Sequence, residues 1–180
     1  SDYAYCKTIY DIVSNMTDGR RAVYGTNGAP FPYGLRREEA ITLPTNYATV
    51  LAAKADNTPY VVICAASTLL AHAEAVQRGW VSGDAKALYE AGVKASFMQW
   101  GLTEAAANTV LTGAGNFDTG TGGGLSIGNG AFNAIPGQSA VTSNQLQRIH
   151  LQQYLAYYPD GVQGWSSWRR TNMPVLVATS

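Results

Sequence analysis

The stretch PYVVICAASTLLAHAEAVQRGWVSGDAKALYEAGVKASFMQWG, from Pro59 to Gly101, decides the fold. Within it Val62, Ala66, Leu69, Ala73 and Val76 recur at spacings of four, three, four and three, which draws one apolar stripe along a helix and not the alternation of a strand. Pro59 suits the first turn of that helix and Gly79 its end. A second helix is predicted to open at Asp84, whose carboxylate can accept from the N–H groups that a first turn leaves unbonded. On this helix Lys86, Glu90 and Lys94 stack on one polar face. Ala85, Leu88, Gly92 and Ala95 form one apolar stripe and Tyr89, Val93 and Phe97 another, so neighbours are expected on two sides. Two antiparallel helices joined by a few residues, with small residues at their crossing, make the hairpin from which tetratricopeptide arrays are built. The expected fold is mainly α, with tetratricopeptide-like helical hairpins and long irregular loops.

Working outward, a third, shorter helix is predicted from Thr103-Glu104 to Gly113, so that residues 59–112 hold the hairpin plus one short helix. Residues 113–142 are rich in glycine, carry Asp118 as their single charge and show no apolar period. Loops of this length are usually functional or disordered, and the sequence leaves both open. Helix is predicted to resume near Ser143, using Leu146, Ile149, Tyr154 and Leu155, and to stop before Pro159. A last helix carries Val162, Trp165 and Trp168 and ends ahead of Pro174, so 143–180 is read as terminal helices. Residues 1–58 form an irregular covering segment, because Gly19, Gly25, Gly28, Pro30, Pro32, Gly34 and Pro44 punctuate 17–58 too densely for a long helix or central strand. Its aromatics, Tyr24, Phe31, Tyr33 and Tyr47, either staple the segment to a core or stand out as a binding surface.

Composition narrows the function classes. The 180 residues carry 12 Lys plus Arg against 12 Asp plus Glu, and only 13% are charged, where an average chain has about 25%. No basic cluster exceeds a pair such as Arg36-Arg37 or Arg169-Arg170, too little to displace counterions from a phosphate backbone, so nucleic acid is not an expected partner. The longest mostly apolar run, Pro59 to Ala71, falls short of the roughly 18 to 20 residues that cross a bilayer. Ser1 to Tyr5 lack the basic start and apolar core of a signal peptide, which fits a cytosolic protein or a mature piece of an exported one. Cys6 and Cys64 show no metal spacing and are expected to be unpaired, with Cys64 a small buried hydrophobe.

Catalytic and cofactor motifs are missing. Gly113-Ala114-Gly115 and Gly120-Thr121-Gly122-Gly123-Gly124 fit neither GxGxxG nor GxxxxGK[ST]. His72 and His150 have no second ligand at helical spacing, and read as helix-surface or core residues. No GxSxG motif marks a nucleophile. Asp56, Glu74 and Asp118 are the best of a weak set of carboxylates for glycoside cleavage, and Glu74 already has a structural place on its helix. The chain does contain four tryptophans and eleven tyrosines. Flat rings that stack on sugars, beside Asn, Gln and Asp for the hydroxyls, suit a neutral glycan. Trp165, Trp168, Arg169 and Arg170 read as a packed aromatic and guanidinium cluster at a helix end.

Two stretches resemble a known family. Ala73-Glu74-Ala75-Val76-Gln77-Arg78-Gly79-Trp80, continuing through Gly83-Asp84-Ala85 and Tyr89 to Ser96, is similar to the helical hairpin of SusD/RagB-like proteins. Tyr157-Tyr158-Pro159-Asp160-Gly161-Val162, Trp165 and Trp168-Arg169-Arg170-Thr171 through Pro174 resemble the same family's "YPDG.EAW..WRRT..P" segment, and Asp18-Gly19-Arg20 with Tyr24 its "DPRL..Y" element. The chain departs from the family at Ala65 and Ser67, where an aromatic and an acid are usual, and at Gly19, where a proline is usual.

The resemblance implies a helical, surface-exposed outer-membrane lipoprotein that binds an oligosaccharide or peptide and passes it to a SusC-like TonB-dependent transporter, without cofactor or catalysis. It further implies that the chain is a C-terminal portion, with the lipid anchor on a preceding part. In that picture the matched motifs build scaffold, so ligand contact is assigned by position alone to three loop aromatics, Tyr33, Tyr47 and Phe117. The alternatives are a helical-repeat structural or interaction protein without its own ligand and, behind it, a glycoside hydrolase.

Overall fold

The computed structural model describes residues 6–25, 28–32, 34–42, 61–122 and 144–176. Eight helices and no strand occur among them: α1 (Lys7–Asn15), α2 (Arg21–Tyr24), α3 (Arg37–Ala40), α4 (Ala65–Gln77), α5 (Ala85–Gln99), α6 (Glu104–Thr112), α7 (Asn144–Ala156) and α8 (Gly161–Thr171). The mainly helical expectation holds, and α4 and α5 pack as the expected hairpin, with α7 against α4 and α8 beyond α7.

The hairpin ends where its sequence tells it to. Asp84 accepts from the Ala87 N–H at 3.0 Å and Thr103 from the Ala106 N–H at 3.2 Å, capping α5 and α6. Both α4 and α5 close on a left-handed glycine, Gly79 at φ +72° and Gly101 at φ +75°. After each, the next residue bonds back five positions, Trp80 N–H to Ala75 C=O at 2.9 Å and Leu102 N–H to Phe97 C=O at 3.1 Å, the closure that a left-handed residue permits. The crossing of α4 over α5 is set by Gly92, because a Cβ there would stand 2.7 Å from Leu70 Cγ. Leu70 drops into that notch, and the two backbones approach as closely as a missing side chain allows.

Several sequence expectations are corrected. The first helix begins at Ala65 and not near Pro59, because Cys64 is extended and caps it, its sulfur accepting from the Ser67 N–H at 3.3 Å and its carbonyl from the Ser67 hydroxyl at 2.9 Å. Cys64 is therefore a half-buried cap rather than a core thiol, and both Cys64 and Cys6 are free. Val62, assigned to the stripe, is exposed ahead of the helix. The buried positions of α4 are Ala66, Leu70, Ala73 and Glu74, one step round from Leu69 and Val76, because the helix is covered by α7 as well as by α5. The N-terminal segment is also more ordered than its glycines and prolines suggest. α1 turns Ile12 and Val13 into the core, and Tyr24 on α2 is fully buried.

α7 is the central element. It buries Leu146, Ile149, Leu151 and Leu155, but also Gln147, Arg148, His150, Gln152 and Gln153. Burying such groups is costly unless they find partners, and the partners of Arg148, Gln152 and Gln153 tie distant parts of the chain together.

Candidate functional site

Two buried polar hubs come first, because they decide which charged residues are available for chemistry. In one, Arg20 and Asp18 are both fully buried. The guanidinium Nη2 lies 2.6 Å from Asp18 Oδ2, while the remaining N–H groups reach Ser96 Oγ at 3.0 Å and Gln152 Oε1 at 2.8 Å, with the Phe97 ring 4.7 Å below. Beside it the Tyr24 hydroxyl donates to the Leu155 carbonyl at 2.8 Å and the Tyr158 hydroxyl to the Tyr24 carbonyl at 2.7 Å, with the two rings stacked at 4.3 Å. Burial pushes the Tyr24 phenol up to about 12, so it remains a donor throughout the physiological range. The Asp-Gly-Arg element and the Tyr-Pro-Asp-Gly element are thereby locked to each other.

The second hub is Glu74. Arg170 grips its carboxylate with two bonds, at 2.6 and 2.9 Å, and Arg78 and Gln153 add bonds at 2.9 and 3.2 Å. His150 Nε2 approaches Glu74 Oε1 to 3.1 Å but is poorly aligned for a bond. Burial alone would raise the Glu74 carboxyl, yet contact with His150 and Arg170 outweighs it and holds the group well below the usual carboxylate range. A glycosidase acid needs the opposite displacement, so that it still carries its proton at working pH. Asp118 is exposed and paired to Lys86 at 2.7 Å, and Asp56 lies outside the described residues. His150 is a core residue whose imidazole is pushed down chiefly by burial, and no group of three His, Cys, Asp or Glu among the described residues could hold a metal ion.

The expected cluster of Trp165, Trp168 and the two arginines separates into two functions. Arg170 turns to Glu74, whereas Trp165 and Trp168 stack on each other at 5.0 Å and 18°. The Trp168 indole N–H donates to the Pro174 carbonyl at 3.1 Å, which fixes that ring, and Trp165 remains 55% exposed. The pair borders a recess of about 280 Å³, lined also by Ile9, Tyr154, Tyr158, Pro159 and Asp160. Asp160 meanwhile caps α8, accepting from Val162 and Gln163 N–H at 3.0 Å each. α1, α7 and α8 thus converge on an open aromatic hollow.

Of the three loop aromatics expected to meet ligand, Tyr33 and Tyr47 lie outside the described residues. Phe117 is not an exposed loop aromatic. It is only 6% exposed and packs on Tyr89 at 5.2 Å. The reason is local: the Tyr89 hydroxyl bonds the Gly115 carbonyl at 2.6 Å and Arg148 bonds the carbonyls of Phe117 and Gly120 at 2.6 and 2.8 Å, which pulls the start of the glycine-rich segment onto the core. The Trp165 recess was missed as a surface, although two tryptophans at i and i+3 on an otherwise polar helix were the signal for it.

The molecule is thus a helical-hairpin scaffold with an aromatic hollow at its surface. It belongs to the SusD-like family, described as starch-binding and associating with the outer membrane, whose model matches residues 1–180. Members of this family are binding proteins of the outer-membrane surface. Among solved structures, a chitin-binding SusD homolog from Flavobacterium johnsoniae superposes with a TM-score of 0.73 at 24% identity, over 97% of this chain and 38% of that one. A SusD homolog from Parabacteroides distasonis gives a TM-score of 0.68 at 29% identity, over 88% of this chain and 32% of that one. The chain therefore spans about a third of the length of these relatives. No curated protein sequence matches it.

Proposed function

We propose that the chain serves nutrient uptake at the cell-surface face of a bacterial outer membrane, held there by a lipid anchor, binding an oligosaccharide and delivering it to a SusC-like TonB-dependent transporter without altering it. Membership of the SusD-like family along all 180 residues carries this reading. The chemistry of the chain agrees with it. A neutral sugar offers no charge to attract, and this chain has a formal net charge of zero with few charged side chains and abundant indoles and phenols. Among the described residues, the most buried carboxylates, Asp18 and Glu74, are bound to arginines and serve the scaffold.

Calorimetry with maltoheptaose and with chitohexaose tests the reading. At least one is expected to bind, and with nearly the same affinity at low and high salt, although the screening length falls from about 30 to 3 Å. Failure of both sugars to bind overturns the glycan reading, and a steep loss with salt replaces the neutral sugar by an acidic ligand. Co-purification with a SusC-like transporter from detergent-solubilised native membranes is the expected sign of the partner, and its absence would remove that part of the proposal.

A further inference from the structure

We propose that the recess beside α8 holds the apolar face of one neutral pyranose ring, with Trp165 as the stacking platform. The proposal rests on the glycan reading above and names where on this chain the sugar sits.

Three features of the recess carry it. The first is preorganisation. Trp168 is tied through its N–H to the Pro174 carbonyl, and Trp165 lies nearly parallel on it at 18°, so a ring landing on the Trp165 indole finds that side chain already ordered and costs little further rotamer entropy. The second is exposure. Trp165 is 55% exposed and Val162, one turn earlier on α8, is exposed with it, although burying such apolar side chains is favourable. The third is size and chemistry. A hollow of about 280 Å³ stands near the lower edge of the roughly 300–1,000 Å³ range of small-molecule sites, which fits a single ring and not the flank of a helix. Its lining combines the aromatic side chains of Trp165 and Tyr154 with Asp160, whose carboxylate also caps α8. A pyranose needs that combination, since one face presents C–H groups and the edge presents hydroxyls that seek acceptors.

The other exposed indole provides the control. Trp80 is 70% exposed at the end of α4, with the Arg78 guanidinium 5.2 Å from its ring, and it does not line the recess. Surface stickiness of indoles in general would involve both residues, while a built subsite involves one.

The test uses the 180-residue chain labelled with 5-fluorotryptophan. Its four tryptophans, Trp80, Trp100, Trp165 and Trp168, give four fluorine resonances that single Trp→Phe variants assign. Whichever of maltoheptaose or chitohexaose binds the parent is expected to move the resonances of Trp165 and Trp168 and to leave that of Trp80 in place. In calorimetry Trp165→Ala is expected to weaken the same sugar by about tenfold or more, as loss of an aromatic anchor does, while Trp80→Ala binds like the parent. Because Trp165 is an exposed residue whose loss removes only its stack on Trp168, Trp165→Ala should stay folded at the temperature of the binding assay, which separates lost binding from lost folding. A parent that binds sugar while Trp165→Ala binds it equally well overturns the subsite and spares the glycan reading. Equal losses in both variants also overturn it, and a parent that binds neither sugar overturns both proposals together.

Discussion

Substituting Asp18 by alanine should be among the most damaging single changes the scaffold can suffer. Arg20 is fully buried and cannot escape its charge by losing a proton. Burial works to lower its pKa, but Asp18 at 2.6 Å overrides that and raises it. The substitution removes the three side-chain bonds between the guanidinium and the carboxylate and also the bond from the Arg20 N–H to Asp18 Oδ1 at 2.9 Å. Ser96 and Gln152 remain, but they are neutral acceptors. Breaking a buried pair from one side costs about 3–5 kcal/mol, against a total of roughly 5–15 kcal/mol for a domain. For a chain of this size that corresponds to a fall in melting temperature of roughly 6–20 °C. Urea unfolding followed by circular dichroism would measure it, with Arg20→Met and the double variant completing a cycle. The double variant should recover part of the loss, because it no longer strands a charge. A loss below about 1 kcal/mol for Asp18→Ala, the range of a solvent-exposed pair, would refute the reasoning.

Gly92→Ala gains up to about 1 kcal/mol in helix propensity but drives a methyl group to within 2.7 Å of Leu70 Cγ. Overpacking of a closed core costs about 1–3 kcal/mol, so net destabilisation is expected, and an unchanged or raised urea midpoint would show that α4 can step back freely. Acid should weaken the fold in two stages. The depressed imidazole of His150 makes the unfolded chain take up a proton first, so stability drops as pH falls through the ordinary histidine value of 6.5. The depressed carboxyl of Glu74 contributes fully above its ordinary value of 4.5 and loses that contribution as pH falls further. Urea midpoints between pH 7 and 5 should therefore decline for the parent and flatten for His150→Gln, and a parallel decline in both would assign the first stage to another group.

The hairpin was legible because it is a local pattern. Asp84 and Thr103 announce helix starts and Gly79 a helix end, and the structure uses all three as such. The stripe on α4 was displaced by one position because periodicity counts apolar residues, whereas the core accepted Glu74 once Arg170 and Arg78 had reached it. The polar side chains of α7 gave no sign of burial for the same reason, since Gln152 and Gln153 find their partners in Arg20 ahead of α2, Glu74 on α4 and Arg170 on α8, which no single stretch displays. α1 was lost in a segment read from its turn residues, and Phe117 was misjudged because its anchors, Tyr89 and Arg148, stand on other helices. Of the recess, only the Trp165 and Trp168 spacing on α8 was readable in sequence, because its other walls come from α1 and α7, which the packing alone brings together.

The Arg20 hub has a consequence for which alternative folds the chain avoids. Asp18 is two residues from Arg20, but the acceptors that complete the guanidinium stand 76 and 132 positions away, on α5 and α7. A compact arrangement that docked two of these three regions and misplaced the third would enclose a charge with its acceptors missing, and the low dielectric that rewards the complete network would penalise the partial one. The pair thus widens the energy gap between the native packing and its near misses, in addition to whatever it contributes to the native state. We expect the double variant of the cycle above to show this as a broader unfolding transition even where its midpoint recovers; a transition as sharp as the parent's would count against it.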